Sequence, residues 1–147
     1  MIALDTNILV YAHRRDSSFH APAVAAVASL ANGQARWALP WPCLHEFFGV
    51  VTHARMYDPP STSDQAIRQL GAWLECPTLE LIGEDLGYWG VLESQLRAGQ
   101  VTGPRVHDAR IAALCILHGV RELWTADRDF SRFPQLVTKN PLHGTNR

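Results

Sequence analysis

The first ten residues constrain the fold of this chain more than any other stretch. Residues 1–4 form an apolar run too short for a helix, the polar residues Asp5, Thr6 and Asn7 follow, and residues 8–10 are apolar again. This order is typical of a short buried strand that turns directly into a helix. Asp5 then lies at the carboxyl end of a strand, where open parallel sheets place their functional groups. The structural alternative is a helix N-cap, because an aspartate accepts hydrogen bonds from free backbone amides.

The rest of the chain alternates short apolar runs with longer amphipathic segments. We predict further strands over residues 36–40, 78–82, 122–125 and 136–138. We predict helices over residues 19–31, through 45–51, after a capping box at Thr62 and Gln65, around Trp89, and over 104–118. Strands that alternate with helices predict an α/β fold, namely a three-layer α/β/α domain with a central, mainly parallel sheet of four or five strands.

Two local patterns add detail to the predicted helices. Ser18 is positioned to cap the helix over residues 19–31, since serine is a favoured N-cap residue. The helix after Thr62 is expected to bury Ile67, Leu70 and Leu74, which recur at helical spacing.

Length and composition indicate one domain. At 147 residues and 47% hydrophobic, the chain is long enough for one core and too short to expect two. We therefore expect a single domain over residues 1–147, with a loose tail from about residue 140. The start lacks the basic segment of a signal peptide, and no apolar run reaches membrane-spanning length, which predicts a soluble, cytoplasmic protein. Three cysteines without CxxC spacing indicate neither a disulfide framework nor a zinc site.

The charge balance neither favours nor excludes a nucleic-acid partner, since the net charge is -1. Arginine dominates the basic residues, because Lys139 is the sole lysine among 13. Arginine is well suited to bidentate contact with phosphate and to stacking on bases. Genome composition alone explains the same enrichment, so the arginines support a nucleic-acid substrate only together with a catalytic site.

Four acidic residues occupy positions that the fold itself does not require. Asp108 shares a helix face with apolar residues three, four and seven positions later, and a carboxylate is rarely buried without a partner. Asp5 and Asp127 follow predicted strands, and Glu46 lies in an early helical turn. Each acid has an ordinary explanation alone, as a residue of a first helical turn or of a turn. Only the set of four indicates a functional site.

Convergence of these acids requires a cation. Two carboxylates about 4 Å apart repel by roughly 4 kcal/mol at an effective dielectric of about 20, so four in one place destabilise the fold unless divalent ions neutralise them. Oxygen ligands predict Mg2+ or Mn2+, as one ion or two. Such ions activate an attacking water and stabilise the leaving oxygen of a phosphodiester, which is nuclease chemistry. A zinc site at His45 and His107 is the alternative, but the spacing typical of zinc ligands is missing.

At these residues the chain resembles the PIN-domain ribonucleases, and within them the VapC-type toxins of bacterial toxin-antitoxin pairs. The matching segments are residues 4–7, the helix that carries Glu46, residues 107–113 and residues 124–130. The resemblance implies a three-layer α/β/α fold and a Mg2+- or Mn2+-dependent endoribonuclease that acts as a toxin. It further implies catalytic, metal-binding roles for Asp5, Glu46, Asp108 and Asp127, and supporting roles for Asp129, Thr6, Asn7 and Thr125.

The resemblance also implies partners for the chain. These are an RNA substrate, a second copy of the chain in a homodimer, and a small VapB-like antitoxin that covers apolar grooves and blocks the acidic site. Five arginines flank the predicted acids, and we hypothesise that some of them hold RNA phosphates: Arg14, Arg15, Arg110, Arg128 and Arg132.

Three alternatives stay open. The first is a housekeeping PIN-type nuclease that processes RNA. The second is an aspartyl-nucleophile phosphatase, which usually needs a second Asp two residues after the first and a well-placed lysine, whereas this chain has Asn7 and only Lys139. The third is a non-catalytic interaction domain, for which the loss of one or more acids would be the sign, but all four acids are present.

Overall fold

Five short strands form the centre of the structure, a computed structural model that describes residues 1–143. The strands are β1 (Ile2–Leu4), β2 (Trp37–Pro40), β3 (Leu79–Ile82), β4 (Glu122–Trp124) and β5 (Val137–Lys139). All neighbouring strands pair in parallel, in the order β3-β2-β1-β4-β5. The strand β1 is central, with Ile2 opposite Trp37 of β2 and Glu122 of β4.

Six α-helices within these residues connect the strands. They are α1 (Thr6–His13), α2 (His20–Ala31), α3 (Trp41–Val51), α4 (Ser63–Leu74), α5 (Tyr88–Ala98) and α6 (Val106–Leu117). The chain moves from β1 to β2 and β3 in one direction and then crosses back to β4 and β5. Right-handed connections therefore place α1 to α4 on one face of the sheet and α5 and α6 on the other. The predicted three-layer α/β/α fold is confirmed, with every strand pair parallel.

The strand order reverses beside β1, which leaves a crevice between the carboxyl ends of β1 and β4. Open α/β sheets bind their ligands at such a point. The interior strands are covered on both faces, since Ala3, Leu4, Ala38 and Leu39 are all 0% exposed. All residues of β5 are exposed, as suits an edge strand that carries Lys139.

The end of α6 is a Schellman motif that returns the chain to the sheet. Gly119 has φ 70°, its N–H donates to the Ile116 carbonyl (3.3 Å), and the Val120 N–H donates to the Cys115 carbonyl (2.8 Å). Glycine adopts this backbone conformation without the strain that a Cβ causes. The start of α6 lies slightly later than predicted, because Gly103–Arg105 form a separate 3-10 turn.

The two predicted helix caps have different outcomes. The capping box of α4 is confirmed: Gln65 N–H donates to Thr62 Oγ1 (3.1 Å), and Thr62 N–H donates to Gln65 Oε1 (2.9 Å). The predicted Ser18 cap is wrong, because α2 begins without a side-chain cap and Ser17 is the serine that accepts a backbone amide there. Adjacent serines offer the same chemistry, and the turn before the helix selects between them.

The predicted buried face of α4 is wrong at two of its three residues, since only Leu70 packs against the core, where it is partly buried. Ile67 is 58% exposed and Leu74 is 41% exposed, whereas Ala66 and Trp73 are buried. Trp73 packs edge-on against Phe47 of α3, with ring centroids 5.0 Å apart. Burial of this large ring turns the helix by one residue relative to the prediction, because an aromatic side chain gains more from burial than an aliphatic one.

The chain stays packed beyond β5. Leu142 is 7% exposed and joins the core, and its N–H donates to Asn140 Oδ1 (3.0 Å). Leu142 is therefore packed where a loose tail was predicted from about residue 140, and residues 144–147 lie outside the described residues. Within residues 1–143, no helix combines the length and the apolar character that a membrane crossing needs.

Candidate functional site

Asp5 lies at the carboxyl end of β1 and caps α1. Its N–H donates to the Trp124 carbonyl across the β1–β4 pair (3.0 Å), and its Oδ1 accepts from the Thr6 N–H (2.8 Å). The residue is only 4% exposed. Asp5 is thus both an N-cap and a buried acid at the crevice between β1 and β4.

A hydrogen-bond network holds the second oxygen of Asp5. Thr125 Oγ1 and Asn7 Nδ2 both donate to Asp5 Oδ2, at 2.7 and 3.1 Å. Asn7 Oδ1 accepts from the Ala126 N–H (3.1 Å), and Thr125 Oγ1 accepts from the Asp127 N–H (3.0 Å). These bonds fix the orientation of the carboxylate and connect the start of α1 to the turn after β4.

Glu46 on α3 reaches the same region through Thr6. The Thr6 hydroxyl donates to Glu46 Oε2 (2.7 Å), and Cys43, one turn earlier on α3, lies with its Sγ 3.7 Å from Asp5 Oδ1. Burial and the nearby Asp5 carboxylate raise the pKa of the Cys43 thiol, which stays protonated and donates to Asp5. Sequence reasoning missed this contact of Cys43, although its spacing from Glu46 was a signal, since residues three apart share a helix face.

The environment of Asp5 favours its protonated form. Burial raises the pKa of Asp5 to about 6 from an ordinary value of 3.8, against the lowering effect of the hydrogen bonds from Thr125 and Thr6. The negative charges of Glu46 and Asp108 raise the pKa further. A cation beside Asp5 would reverse this penalty, because an opposite charge favours the ionised carboxylate.

Three acids form a second group. Asp108 in the first turn of α6, and Asp127 and Asp129 in the turn after β4, each offer a carboxylate oxygen within 4.8 Å of the others. Burial, followed by the charges of Asp127 and Asp129, raises the pKa of Asp108. The Arg105 guanidinium lies 3.1 Å from Asp129 and was not recognised in the sequence. Asp129 was predicted to support the four acids. Its carboxylate oxygen lies within 4.8 Å of those of Asp108 and Asp127, the two predicted ligands.

All four predicted acids line one cleft of about 230 Å³, here called the acid cleft. It lies at the carboxyl edge of the sheet, and the acids reach it from β1, α3, α6 and the turn after β4. The remaining lining is mixed: Thr6, Asn7, Val10, Tyr11, Val50, Met56, Tyr57 and Ile111. A larger depression of about 950 Å³ beside the end of α1 contains none of the four acids, so its size does not make it the site.

The five predicted RNA-binding arginines do not form a single patch around the acid cleft. Arg14 and Arg15 line the larger depression instead. The guanidinium of Arg14 donates to both oxygens of Asp16 (2.9 and 2.6 Å) and to the Pro59 carbonyl (3.0 Å), and it lies 4.3 Å over the ring of Tyr57. Arg14 thus has a structural role, because its donors are occupied within the fold.

The other three arginines lie nearer to the acids. Arg110 forms an ion pair with Glu84 through its Nε. Arg128 and Arg132 belong to the 3-10 turn that follows Asp127, and Arg132 Nη1 donates to the Gly99 carbonyl (3.4 Å). Arg128 is exposed on this turn.

The donor set of the acid cleft fits a hard divalent cation. Every acid offers oxygen, and the oxygens of Asp108, Asp127 and Asp129 already stand within one coordination sphere of each other. Burial, and after it the negative charges of Asp127, Asp129 and Glu46, raises the pKa of Asp108, and a cation beside these acids would oppose this effect. The sulfur of Cys43 is directed at Asp5 and buried, which leaves the cleft with oxygen ligands and favours Mg2+ or Mn2+ over zinc.

Comparison with known proteins assigns the family. The model of the PIN domain matches residues 2–136. The chain is 30% identical to Ribonuclease VapC48 of Mycobacterium tuberculosis over 95% of its own length and 97% of the relative. It is 31% identical to Ribonuclease VapC43 of the same organism, over 98% and 97% of the two chains. The chain therefore belongs to the PIN-domain family, as the resemblance in its sequence implied.

A solved structure shares the fold over nearly the whole chain. It is the crystal structure of VapBC2 from Rickettsia felis bound to a DNA fragment from their promoter. The matching chain is 26% identical, with a TM-score of 0.66 over 95% of this chain and 98% of that chain.

Proposed function

We propose that this chain is a metal-dependent endoribonuclease that acts as the toxin of a toxin-antitoxin pair. The observation that carries the proposal is the meeting of Asp5, Glu46, Asp108 and Asp127 in one cleft, from four separate elements of the fold. The relatives named ribonucleases support the choice of RNA as the substrate. The VapBC2 complex supports the choice of a toxin over a housekeeping RNA-processing nuclease.

Each group of acids has its own task in this proposal. Asp108, Asp127 and Asp129 hold the cation, because their oxygens lie closest together. Asp5 and Glu46 complete the ligand set, and Thr6, Asn7 and Thr125 orient them by the hydrogen bonds described above. When bound, Mg2+ or Mn2+, as one ion or two, supplies a Lewis acid that activates water and offsets the charge of the phosphodiester.

The chain also orients the carboxylates of Glu46 and Asp5. The Thr6 hydroxyl donates to Oε2 of Glu46 and so restrains the orientation of this carboxylate at the wall of the acid cleft. Both oxygens of Asp5 accept hydrogen bonds, from Thr6, Thr125 and Asn7. A carboxylate so engaged is a poor nucleophile, which counts against the aspartyl-phosphatase alternative.

A small VapB-like antitoxin and a second copy of the chain are the protein partners in this proposal. The VapBC2 complex supports the antitoxin. The exposed side chains of Trp41, Ile67 and Leu74 on α3 and α4 support protein contact, since large apolar residues grouped on a surface mark interaction sites.

Cleavage of RNA by purified, antitoxin-free protein tests the proposal. Structured RNAs incubated with Mg2+ or Mn2+ are expected to be cut by the wild type and spared by Asp5→Asn and Asp108→Asn. The matched control is Asp64→Asn, because Asp64 is an exposed acid on α4 outside the acid cleft. Cleavage that persists in both site variants would rule out the proposed site.

Expression in cells separates a toxin from a housekeeping nuclease. A toxin is expected to arrest growth, and co-expression of the small neighbouring gene is expected to restore it. Normal growth with an active nuclease would favour RNA processing instead.

A further inference from the structure

A second pocket adjoins the acid cleft and is not used by the function proposed above. It measures about 390 Å³ and is here called the histidine pocket. Its lining comes from the first two turns of two helices: Pro42, His45 and Glu46 of α3, and His107, Arg110 and Ile111 of α6. Glu46 and Ile111 line both cavities, so the pocket opens directly beside the acids.

The histidine pocket has the opposite chemistry from the acid cleft. His45, His107 and Arg110 contribute nitrogen donors, and Glu46 is its only carboxylate among the described residues. Arg110 is paired with Glu84 through its Nε, and 37% of its side chain remains exposed. Such an arrangement suits an anion, because guanidinium and imidazole N–H groups donate to phosphate oxygens.

The surrounding fold strengthens this preference. Both α3 and α6 begin at the pocket, so the positive ends of two helix dipoles point toward it. His45 also stacks on Trp41, with ring centroids 6.1 Å apart and an angle of 27° between the planes. The stack fixes the imidazole at one wall of the pocket.

We propose that the histidine pocket binds a backbone phosphate of single-stranded RNA, next to the phosphate that is cut in the acid cleft. This inference rests on the proposed ribonuclease function. The shared wall at Glu46 lets one strand occupy both cavities. The Thr6 hydroxyl donates to Glu46 Oε2 on the cleft side, while His107 and Arg110 receive the phosphate on the other side.

RNA binding without cleavage tests the inference. A fluorescein-labelled RNA octamer of unstructured sequence is titrated with the full-length protein in EDTA, and anisotropy gives Kd over a series of salt concentrations. Arg110→Ala and His107→Ala are each expected to weaken binding about tenfold, as the loss of a charge-assisted hydrogen bond does. Arg110→Ala is also expected to reduce the salt dependence by about 0.7 in the slope of log K against log salt.

Matched controls exclude a general effect of charge. Arg36→Ala removes an arginine that, like Arg110, pairs with a glutamate, but it lies at the amino end of β2. His53→Ala removes an exposed histidine that lines neither cavity. Both controls are expected to bind the octamer as the wild type does. Glu84→Gln keeps the Arg110 charge and is expected to bind at least as tightly, whereas weaker binding would assign the effect to the ion pair itself and overturn the inference.

A second measurement on the folded wild type does not depend on the stability of a variant. Imidazole signals of His45 and His107 are followed by NMR during titration with the unlabelled octamer, and they are expected to shift while those of His53 stay constant. Unshifted signals overturn the inference. A poly-glutamate octamer that shifts them equally also overturns it, because the pocket would then belong to an acidic protein partner.

Failure of the inference differs from failure of the proposed function. Normal cleavage by the wild type together with unchanged RNA binding by the pocket variants refutes the histidine pocket alone. Absence of cleavage by the wild type refutes the ribonuclease, and the binding experiment then still reports on the pocket.

Discussion

The two groups of acids in and beside the acid cleft are built in different ways. Around Asp5, the residues Asp5, Thr6, Asn7, Glu46 and Thr125, here called the Asp5 half, form a network in which hydrogen bonds hold each carboxylate. The Asp108 half, namely Asp108, Asp127 and Asp129, gathers three carboxylates within 4.8 Å of one another. In the first half the fold itself fixes the geometry. In the Asp108 half the folded chain holds three carboxylates close together, and a bound cation would relieve their repulsion.

This difference predicts opposite responses to the removal of a carboxylate and of a hydrogen bond. Loss of a charge in the Asp108 half should weaken cation binding and strengthen the cation-free fold. Loss of a donor in the Asp5 half should weaken both. Three substitutions and one pH series distinguish the two halves.

Asp108→Asn is expected to have the largest effect. Binding of Mn2+ should weaken by more than about 100-fold, since changes one shell outside the ligands already cost about 10- to 100-fold. In EDTA the same variant should unfold at a higher temperature than the wild type, because the charges that raise the pKa of Asp108 no longer oppose folding. Calorimetric titration with Mn2+ and thermal unfolding measure the two effects. The control Asp64→Asn, at an exposed residue of α4, should change neither Mn2+ binding nor the unfolding temperature. A lower Tm for Asp108→Asn would contradict repulsion among these acids.

The pH dependence of folding without cations is the second test. The pKa of Asp5 is about 6 in the folded chain and ordinarily 3.8, so the fold favours the protonated acid. The resulting stability is complete below a pH of about 4 and is lost as the pH rises through about 6, by about 3 kcal/mol for a shift of about two units. The raised pKa of Asp108 acts in the same direction.

Mn2+ should therefore raise the Tm more near neutral pH than in acid. Thermal unfolding with Mn2+ and with EDTA, at a pH of about 4.5 and about 7.5, measures this difference. Asp5→Asn lacks the titrating carboxyl and should show a smaller difference. Equal gains at both values in the wild type would be evidence against cation binding beside Asp5.

Thr125→Val is the third test and addresses the Asp5 half. The hydroxyl donates to Asp5 and accepts from Asn7 and from the Asp127 N–H, so its loss leaves several buried groups unpaired. We expect about 1–3 kcal/mol lower stability and a roughly 10-fold loss of Mn2+ affinity. Urea unfolding and Mn2+ titration provide the measurements. Thr52→Val, at the end of α3, is the matched control, and an equal response of both variants would remove any special role of Thr125.

Arg105→Ala is expected to have the smallest effect and the opposite sign. The Arg105 guanidinium lies 3.1 Å from Asp129 and lowers the pKa of Asp108, so its removal leaves the Asp108 half more negative. Removal of this positive charge should make Mn2+ bind more tightly. The gain should be only a few-fold, because the ion pair is partly exposed and screened by solvent. Arg97→Ala breaks a pair with Glu93 of the same length and should leave Mn2+ binding unchanged. Weaker binding by Arg105→Ala would place Arg105 among the groups that orient the acids.

The parts of the fold that local patterns determine were predictable from the sequence. The first ten residues gave the strand, the N-cap and the start of α1, because a switch from an apolar run to Asp-Thr-Asn has few other solutions. The capping box at Thr62 and Gln65 was equally predictable. The four acids were recognisable as a set because each interrupts an apolar setting, and the alternation of strands with helices brought them to one edge.

Features that depend on distant contacts were not predictable. The face that α4 buries is decided by Trp73 against Phe47, a contact between two helices. The hydrogen bonds of the Arg14 guanidinium go to the nearby Asp16 and to the Pro59 carbonyl, and Pro59 comes close only in the folded chain. The short distance between the carboxylate oxygens of Asp129 and Asp108 depends on the path of the turn after β4. The convergence of His45 and His107 depends on the N-terminal turns of α3 and α6, from opposite faces of the sheet, which meet at its carboxyl edge.

The glycine cap at the end of α6 has a consequence for how relatives of this chain can differ in length. Asp108 lies in the first turn of α6 and Asp127 follows β4, so the two residues meet only when the helix, the Gly119 turn and the strand bring them back to the same edge. One residue inserted within α6 would rotate Asp108 by about 100° about the helix axis and out of register with Asp127. Insertions and deletions should therefore be excluded from residues 108–127 and collect in the surface loops, such as residues 52–62 and 83–87.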